Sequence, residues 1–357
     1  MKNMIRLTKR DDFSSKQEAV VMAIAIVLSI VCAGLILLIF GLNPIEVFGA
    51  MINGAVGTKL RITSTITKAI PLIITSLGII VAFKMKFWNI GAEGQITMGA
   101  FGAMFVALYM PETTSKPVAL LLMAIASIIC GGIWAFIPAF FKAKWGINET
   151  IFTLMMNYIA IKFILYMQSG PWKDPSFNGF PRIASITENF KLPHPGGVNI
   201  GWIFALVGAV FVYFLINHTK IGYEISVIGE SVNTARYAGM NIGKVIIISM
   251  LISGGLCGLT GMVQVSGIEF TLASVIAGGC GFTAIITAWL SKLKPAVCVA
   301  VCLAFAILVQ GGDYIQISLG VSSAISDVVQ GLILFFILGS EFFIRYKVHF
   351  GQEKEVA

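Results

Sequence analysis

Phe87-Trp88-Asn89-Ile90-Gly91-Ala92-Glu93-Gly94-Gln95 lies between two apolar runs, at the point where the chain should be entering lipid. An indole, two amides and a carboxylate stand there among small residues. Polar groups without partners are costly in hydrocarbon, so such a cluster faces a protein interior or a wet pathway. The stretch therefore predicts a polytopic membrane protein with a polar element inside its helix bundle, and transport is the first function to consider.

Composition agrees. Mean hydropathy is +0.90. Charged residues make up 12% and hydrophobic residues 57%, whereas a soluble domain carries about 25% charged residues. The charges behind the formal net charge of +8 cluster in loops flanking apolar runs, with Lys162 inside a span, and no aromatic-basic patch points to nucleic acid. A membrane-spanning helix needs about 20 mostly apolar residues. That length criterion predicts ten spans, near 19–41, 67–85, 94–110, 118–141, 150–168, 200–216, 245–265, 274–290, 295–311 and 326–344. The run from Ala19 is too long for a signal-peptide core and reads as an uncleaved first span. Residues 1–18 and 346–357 then form a hydrophilic N-terminal segment and a tail, flanking a transmembrane domain over 19–345.

Lys and Arg set the expected orientation. Lys2, Arg6, Lys9, Arg10, Lys16, Lys84, Lys86, Lys142, Lys144, Lys220, Arg236, Lys244, Lys292, Lys294, Arg345, Lys347 and Lys354 fall on one side. Only Lys59, Arg61, Lys68, Lys116, Lys173, Arg182 and Lys191 fall on the other. The bias predicts both termini on the cytoplasmic side of the membrane. The long outer loop is then 169–199 and the long inner loop 217–244, with Ile45–Ile52 a short helix on the outside. Ser115-Lys116-Pro117-Val118-Ala119 is echoed by Leu293-Lys294-Pro295-Ala296-Val297 half a chain later and on the opposite side. That pairing suggests an inverted repeat, a common transporter plan.

Two glycine groups stand out. Gly254 and Gly258, with Gly255 and Gly261, make a small-residue face for close helix packing. Gly278, Gly279 and Gly281 are expected to break or bend the eighth span. In the inner loop, Gly229-Glu230-Ser231-Val232-Asn233-Thr234-Ala235-Arg236-Tyr237-Ala238-Gly239-Met240 reads as a short helix. Ser231 is its N-cap and Gly239 takes the left-handed position past its end. It is either an ordinary capped loop helix or a docking knob for a cytoplasmic partner.

No reactive constellation appears. Gly243-Lys244 lacks the flanking residues of a P-loop, and there is no nucleophile elbow, zinc-protease motif or carboxylate pair. Cys32, Cys130, Cys257, Cys280, Cys298 and Cys302 lie in apolar surroundings and read as small core residues; no metal site is expected.

Three of these motifs resemble one family. Phe87–Gln95 is similar to the F-N-I-G-A-E-G-Q signature of nucleoside-type ABC importer permeases, within the broader family of ribose and branched-chain amino acid permeases. Gly229–Gly239 resembles that family's G-E-N-x-x-A-A-R-Y-A-G coupling loop. Asn148-Glu149-Thr150 through Met156-Asn157-Tyr158 resembles its N-E-x-x-x-x-L-M-L-N-Y segment. The similarity covers about residues 45–345. It implies an all-α integral membrane fold of about ten spans, type II-like among ABC importer permeases. It further implies a separate ATPase subunit that uses ATP and Mg, a second related permease and an extracytoplasmic substrate-binding lipoprotein; this chain would bind no cofactor and catalyse nothing. Residues Glu230, Ser231, Asn233, Ala235, Arg236, Tyr237 and Gly239 would couple to the ATPase. Two positions depart from the family pattern: Trp88 replaces a Phe, and Thr283 stands where an acidic residue is usual after Gly-Phe.

Trp88, Asn89, Glu93, Gln95 and Asn157 are the candidate pathway residues. Each has a plainer alternative. Asn89, Glu93 and Gln95 could satisfy backbone groups freed at a broken helix start, and Glu93 could pair with Lys84 or Lys86. Asn157 could bond a neighbouring helix, and Trp88 could be an interfacial anchor. The cargo expected from the resemblance is a nucleoside. A simple sugar carried by the same architecture and an ion-coupled secondary transporter are the competing readings.

Overall fold

The structure is a computed structural model that describes residues 5–9, 15–177 and 179–350. Thirteen helices are found among these residues: α1 (Ser15–Ile39), α2 (Pro44–Val56), α3 (Lys59–Lys84), α4 (Ala92–Tyr109), α5 (Lys116–Trp145), α6 (Glu149–Ser169), α7 (Gly201–His218), α8 (Lys220–Glu230), α9 (Val232–Tyr237), α10 (Ile242–Gln264), α11 (Cys280–Leu290), α12 (Pro295–Leu319) and α13 (Ser323–Arg345). Eight are long and apolar enough to cross a bilayer: α1, α3, α5, α6, α7, α10 with its extension to Glu269, α12 and α13. The other two of the ten expected spans correspond to α4, whose first turns carry Glu93 and Gln95, and to α11, which has only 11 residues.

Several boundaries move. α3 starts at Lys59 rather than 67, because Lys59, Arg61 and Lys68 interrupt the apolar run without interrupting the helix. The inner loop contains two helices, not one. α8 was missed because its glycines obscure the pattern. Those glycines let it lie against backbone, with Gly222 on the Leu215 and Ile216 carbonyls and Gly229 on the Lys84 carbonyl. The last helix begins at Ser323 rather than 326, and the Ser326 hydroxyl donates to the Gly312 carbonyl. The chain ends are not simply hydrophilic segments either. Ile5–Lys9 pairs antiparallel with Tyr346–Phe350, Ile5 opposite Phe350 and Lys9 opposite Tyr346. Both stretches alternate apolar and polar residues, the strand pattern. Residues 15–18 belong to α1, and the remaining residues of the expected N-terminal segment and tail lie outside the described residues.

Two compact units are distinguishable, 1–61 with 307–357, and 62–306. The first centres on Ala33, Leu37, Val47, Met51, Ile315 and Val329. Within it the Arg61 guanidinium donates to the Asn53 carbonyl and side chain and to the Tyr314 hydroxyl, at 2.8–3.1 Å, and lies 4.3 Å from the Tyr314 ring centre.

The second unit is built on backbone-to-backbone contact. α4, α5 and α10 meet at glycines. Gly99 lies on Gly258, Gly131 on Gly254 and Gly258, and Gly261 on the Ile96 carbonyl. Without a hydrophobic effect between helices in lipid, such close approach is what dispersion and polar contacts require. Hydroxyls join further helices: Thr75 to Thr260 at 2.9 Å, Ser76 to Thr287 at 2.6 Å, and Ser127 to the Gly99 carbonyl at 2.9 Å. α3 runs through the middle of this unit, its residues Ala69–Phe83 all buried.

A side chain at Gly258 would collide with the Ser127 carbonyl oxygen, whereas one at Gly132 would meet nothing nearer than 3.6 Å. Gly258→Val is therefore expected to abolish or sharply lower recovery of folded protein from membranes, and Gly132→Ala to leave it near the parent level. Size-exclusion profiles and thermal melting of the detergent-purified variants measure both.

Candidate functional site

α3 ends at Lys84, and the chain turns back through Met85–Gly91 before α4 begins. Lys86 takes a left-handed conformation, φ 58°, and the Lys86 and Phe87 N–H groups close onto the Phe83 and Ala82 carbonyls. The turn-back lies well inside the bundle. The Asn89 amide nitrogen is 3.2 Å from the Ser253 hydroxyl, and Ser253 is about 16 Å along α10 from Ile242 at 1.5 Å per residue.

Four side chains hold this turn-back together. Asn89 and Gln95 exchange hydrogen bonds through both amides, at 3.1 and 3.0 Å, and the Asn89 oxygen also accepts from the Gly91 N–H. The Asn157 oxygen accepts from the Gly94 N–H at 2.8 Å, and its amide donates to the Ile90 carbonyl at 2.9 Å. Thr153 accepts from the Ile90 N–H. Asn89, Gln95 and Asn157 are buried. Of the expected pathway residues, these three thus use their polar atoms on the protein itself in this conformation.

Glu93 reaches to a different helix. Its two carboxylate oxygens accept from the backbone N–H groups of Gly279, at 2.7 Å, and Gly281, at 2.8 Å. These are the free donors at the start of α11, where a helix carries partial positive charge. Gly279, at φ 76°, aims the first of them, and a side chain at Gly281 would strike the Glu93 backbone. The expected alternative partners, Lys84 and Lys86, are not bonded to Glu93; the helix end supplies the compensation.

Trp88 is the exception among the five, 41% exposed. Its ring lies 5.2 Å from Phe83 and 5.5 Å from Trp289 of α11, centre to centre, and Phe83 lies 6.2 Å from Trp289. Ser253, Thr153, Trp289 and the α11 donors were missed by sequence reasoning. A serine or threonine on an apolar helix carries no mark of its partner, and backbone donors carry no mark at all. The glycine cluster at 278–281 was the one available signal.

The inner-loop residues are gathered on α9. Ser231 caps it, accepting from the Thr234 N–H at 3.2 Å, and Gly239 sits at φ 73° just beyond its end. Ala235 is buried, while Asn233, Arg236 and Gly239 are exposed and Tyr237 is 93% exposed. Glu230 ends α8. At the start of α6, Asn148 accepts from the Thr150 and Ile151 N–H groups, and Glu149 forms an ion pair with Lys142 of α5 at 2.7 Å.

Residues 61–338 match the family described as branched-chain amino acid transport system / permease component. The chain is similar to a glucose ABC transporter permease protein of Haloferax volcanii, 31% identical over 91% of this chain and 88% of that one. It is 33% identical to a guanosine ABC transporter permease protein of Bacillus subtilis, over 90% of this chain and 93% of that one. A nucleoside ABC transporter permease protein of Lactococcus lactis is 29% identical over 90% and 91%.

Removing the Glu93 carboxylate strands one buried and one partly buried donor, at about 1–3 kcal/mol for a buried one. Glu93→Ala is expected to lower the melting temperature by several degrees and Glu93→Gln, which keeps one acceptor oxygen, by roughly half as much. Differential scanning fluorimetry in detergent reads the order, and equal melting of all three proteins would contradict the bond.

Proposed function

Because this chain belongs to the family of branched-chain amino acid transport system permease components, we propose that it forms the translocation unit through which an ABC importer passes nucleosides into the cytoplasm. As a permease it spans the membrane many times and is not itself the ATPase; hydrolysis of ATP with Mg belongs to a separate subunit. The observation that carries the nucleoside cargo is the alignment of guanosine and nucleoside permease proteins along about 90% of the chain. The signature-like stretch at Phe87–Gln95 supports it.

In this reading the cytoplasmic membrane holds the chain with both termini inside. A second, related permease completes the pathway, and an extracytoplasmic lipoprotein delivers the cargo. α9 enters a groove on the ATPase through Asn233, Arg236 and Tyr237, with Glu230, Ser231, Ala235 and Gly239 holding its shape. Movement of the ATPase then passes from α9 into α10, which continues the chain after Asn241. α10 carries α4 on its glycine face, and the Glu93 bonds transmit the displacement to α11. Asn89, Gln95 and Asn157 act as the frame of that pathway wall rather than as its surface, and Trp88 reaches its edge.

A simple sugar is the second reading, favoured by the glucose permease protein of Haloferax volcanii. Uptake of labelled guanosine and of glucose in a strain expressing the whole transporter separates the two. Nucleoside uptake that stops when the ATPase is inactivated is the expected result, and uptake surviving that loss would favour a secondary transporter.

Coupling has its own test. Proline fixes φ near −65°, which the left-handed Gly239 cannot accommodate. Arg236→Glu combined with Gly239→Pro is expected to lower uptake at least tenfold (about 1.4 kcal/mol of coupling or more) and to weaken co-purification of the ATPase. Normal association and uptake would remove the docking role from α9.

A further inference from the structure

The α10 helix and its π-turn extension stop at Glu269, and Phe270 turns the chain back in a left-handed conformation, φ 57°. Between Phe270 and α11 the chain is a run of turns, not a helix: Ile276 bonds back to Ala273, Gly278 to Val275 and Cys280 to Ala277. One end is tied to the outer loop, the Thr271 hydroxyl donating to the Ile183 carbonyl at 2.9 Å. The other end is tied to Glu93, within the bundle. Helix α11 adds 11 residues, about 16 Å, roughly half of a hydrocarbon core of about 30 Å. The other half of this crossing is irregular backbone.

Its two faces differ. Leu272, Ile276 and Ala277 are buried, but Val275 is 76% exposed and Gly278 is open as well. Non-helical backbone exposed to lipid leaves polar groups without partners and does not occur within a bilayer. The open side therefore does not face lipid. It continues down α11 as Phe282, 44% exposed, and Trp289, which lies seven residues on and so on the same helix face. Trp289 then meets Trp88.

We propose that Val275, Gly278, Phe282, Trp289 and Trp88 form one wall of the aqueous translocation route, and that their aromatic rings receive the planar base of the cargo by stacking. The stacking half of this inference rests on the nucleoside reading; the wall does not. Rings arranged along a path suit a flat heteroaromatic solute, because stacking needs a π-face and no fixed hydrogen-bond geometry.

Val275→Cys and Phe282→Cys, each made in a functional variant without reactive native cysteines, are probed in the assembled transporter in membrane vesicles with a charged thiosulfonate reagent. Val210→Cys, on the exposed apolar face of α7, is the lipid-side control. Labelling of both cysteines at least tenfold faster than the control is expected. Labelling no faster than the control overturns the wall, as does labelling that appears only when the second permease is omitted, since the strip is then a subunit interface. For stacking, Phe282→Ala is expected to slow guanosine uptake about tenfold while Phe282→Tyr stays within twofold of the parent. Equal rates for the two variants overturn it. If the parent transporter carries glucose and no nucleoside, the cargo reading fails while the labelling result still decides the wall.

Discussion

A backbone N–H inside a bilayer has no water to bond, so every interruption of a helix at that depth must be repaired from within the protein. Among the described residues, helices are interrupted at depth twice, before α4 and before α11, and each repair depends on the other. The turn-back before α4 is held by Asn89, Gln95, Asn157 and Thr153. The helix it releases carries Glu93 two residues in, and that carboxylate closes the start of α11. A carboxylate alone at this depth is severely penalised, and two donors at a bare helix start are as well. Together they compensate one another, which explains how a charged residue and a half-helix coexist in one crossing.

The glycine contacts make this repair rigid. With α4, α5 and α10 touching backbone to backbone, the polar side chains at their edges cannot turn aside to find other partners. Rigidity of that kind suits a lever. α9, by contrast, is held by one cap and one buried alanine, and a cap supplies only about 1 kcal/mol. In the coupling proposed above, α9 is the compliant end of the contacts and the glycine frame the stiff end, so α9 would need packing against its partner to pass a displacement on.

Much of this architecture can be read from residues alone. Apolar length locates most crossings, Ser231 and Gly239 delimit α9, and Pro117 and Pro295 stand at the starts of α5 and α12. The anomaly at Phe87–Gln95 also points to the right place. Its solution is not legible, because the partners of Glu93 are backbone groups about half a chain away and no side chain at 279 or 281 marks them. α11 looks like a full crossing because Thr271–Gly279 is apolar enough to continue one. Only the handedness of Gly278 and Gly279, φ 55° and 76°, ends the helix there. The terminal strands escape for a different reason: their alternation is clear only when the two chain ends are brought side by side.

The chemistry of the proposed wall bears on what such a route would pass. Val275, Gly278, Phe282, Trp289 and Trp88 are all uncharged, and the one acidic group nearby, Glu93, has both oxygens bound to N–H donors. A zwitterionic amino acid crossing such a wall would leave its ammonium and carboxylate without counter-charges, at a penalty that hydrocarbon surroundings magnify. A neutral solute avoids that penalty. Nucleosides and simple sugars are both neutral, so charge does not separate them; a nucleobase offers a full π-face for stacking, whereas a sugar packs only a C–H face on a ring, and both must find partners for their hydroxyls elsewhere. Thr283 adds no second charge at the start of α11; its hydroxyl turns back to the Gly279 carbonyl at 3.2 Å.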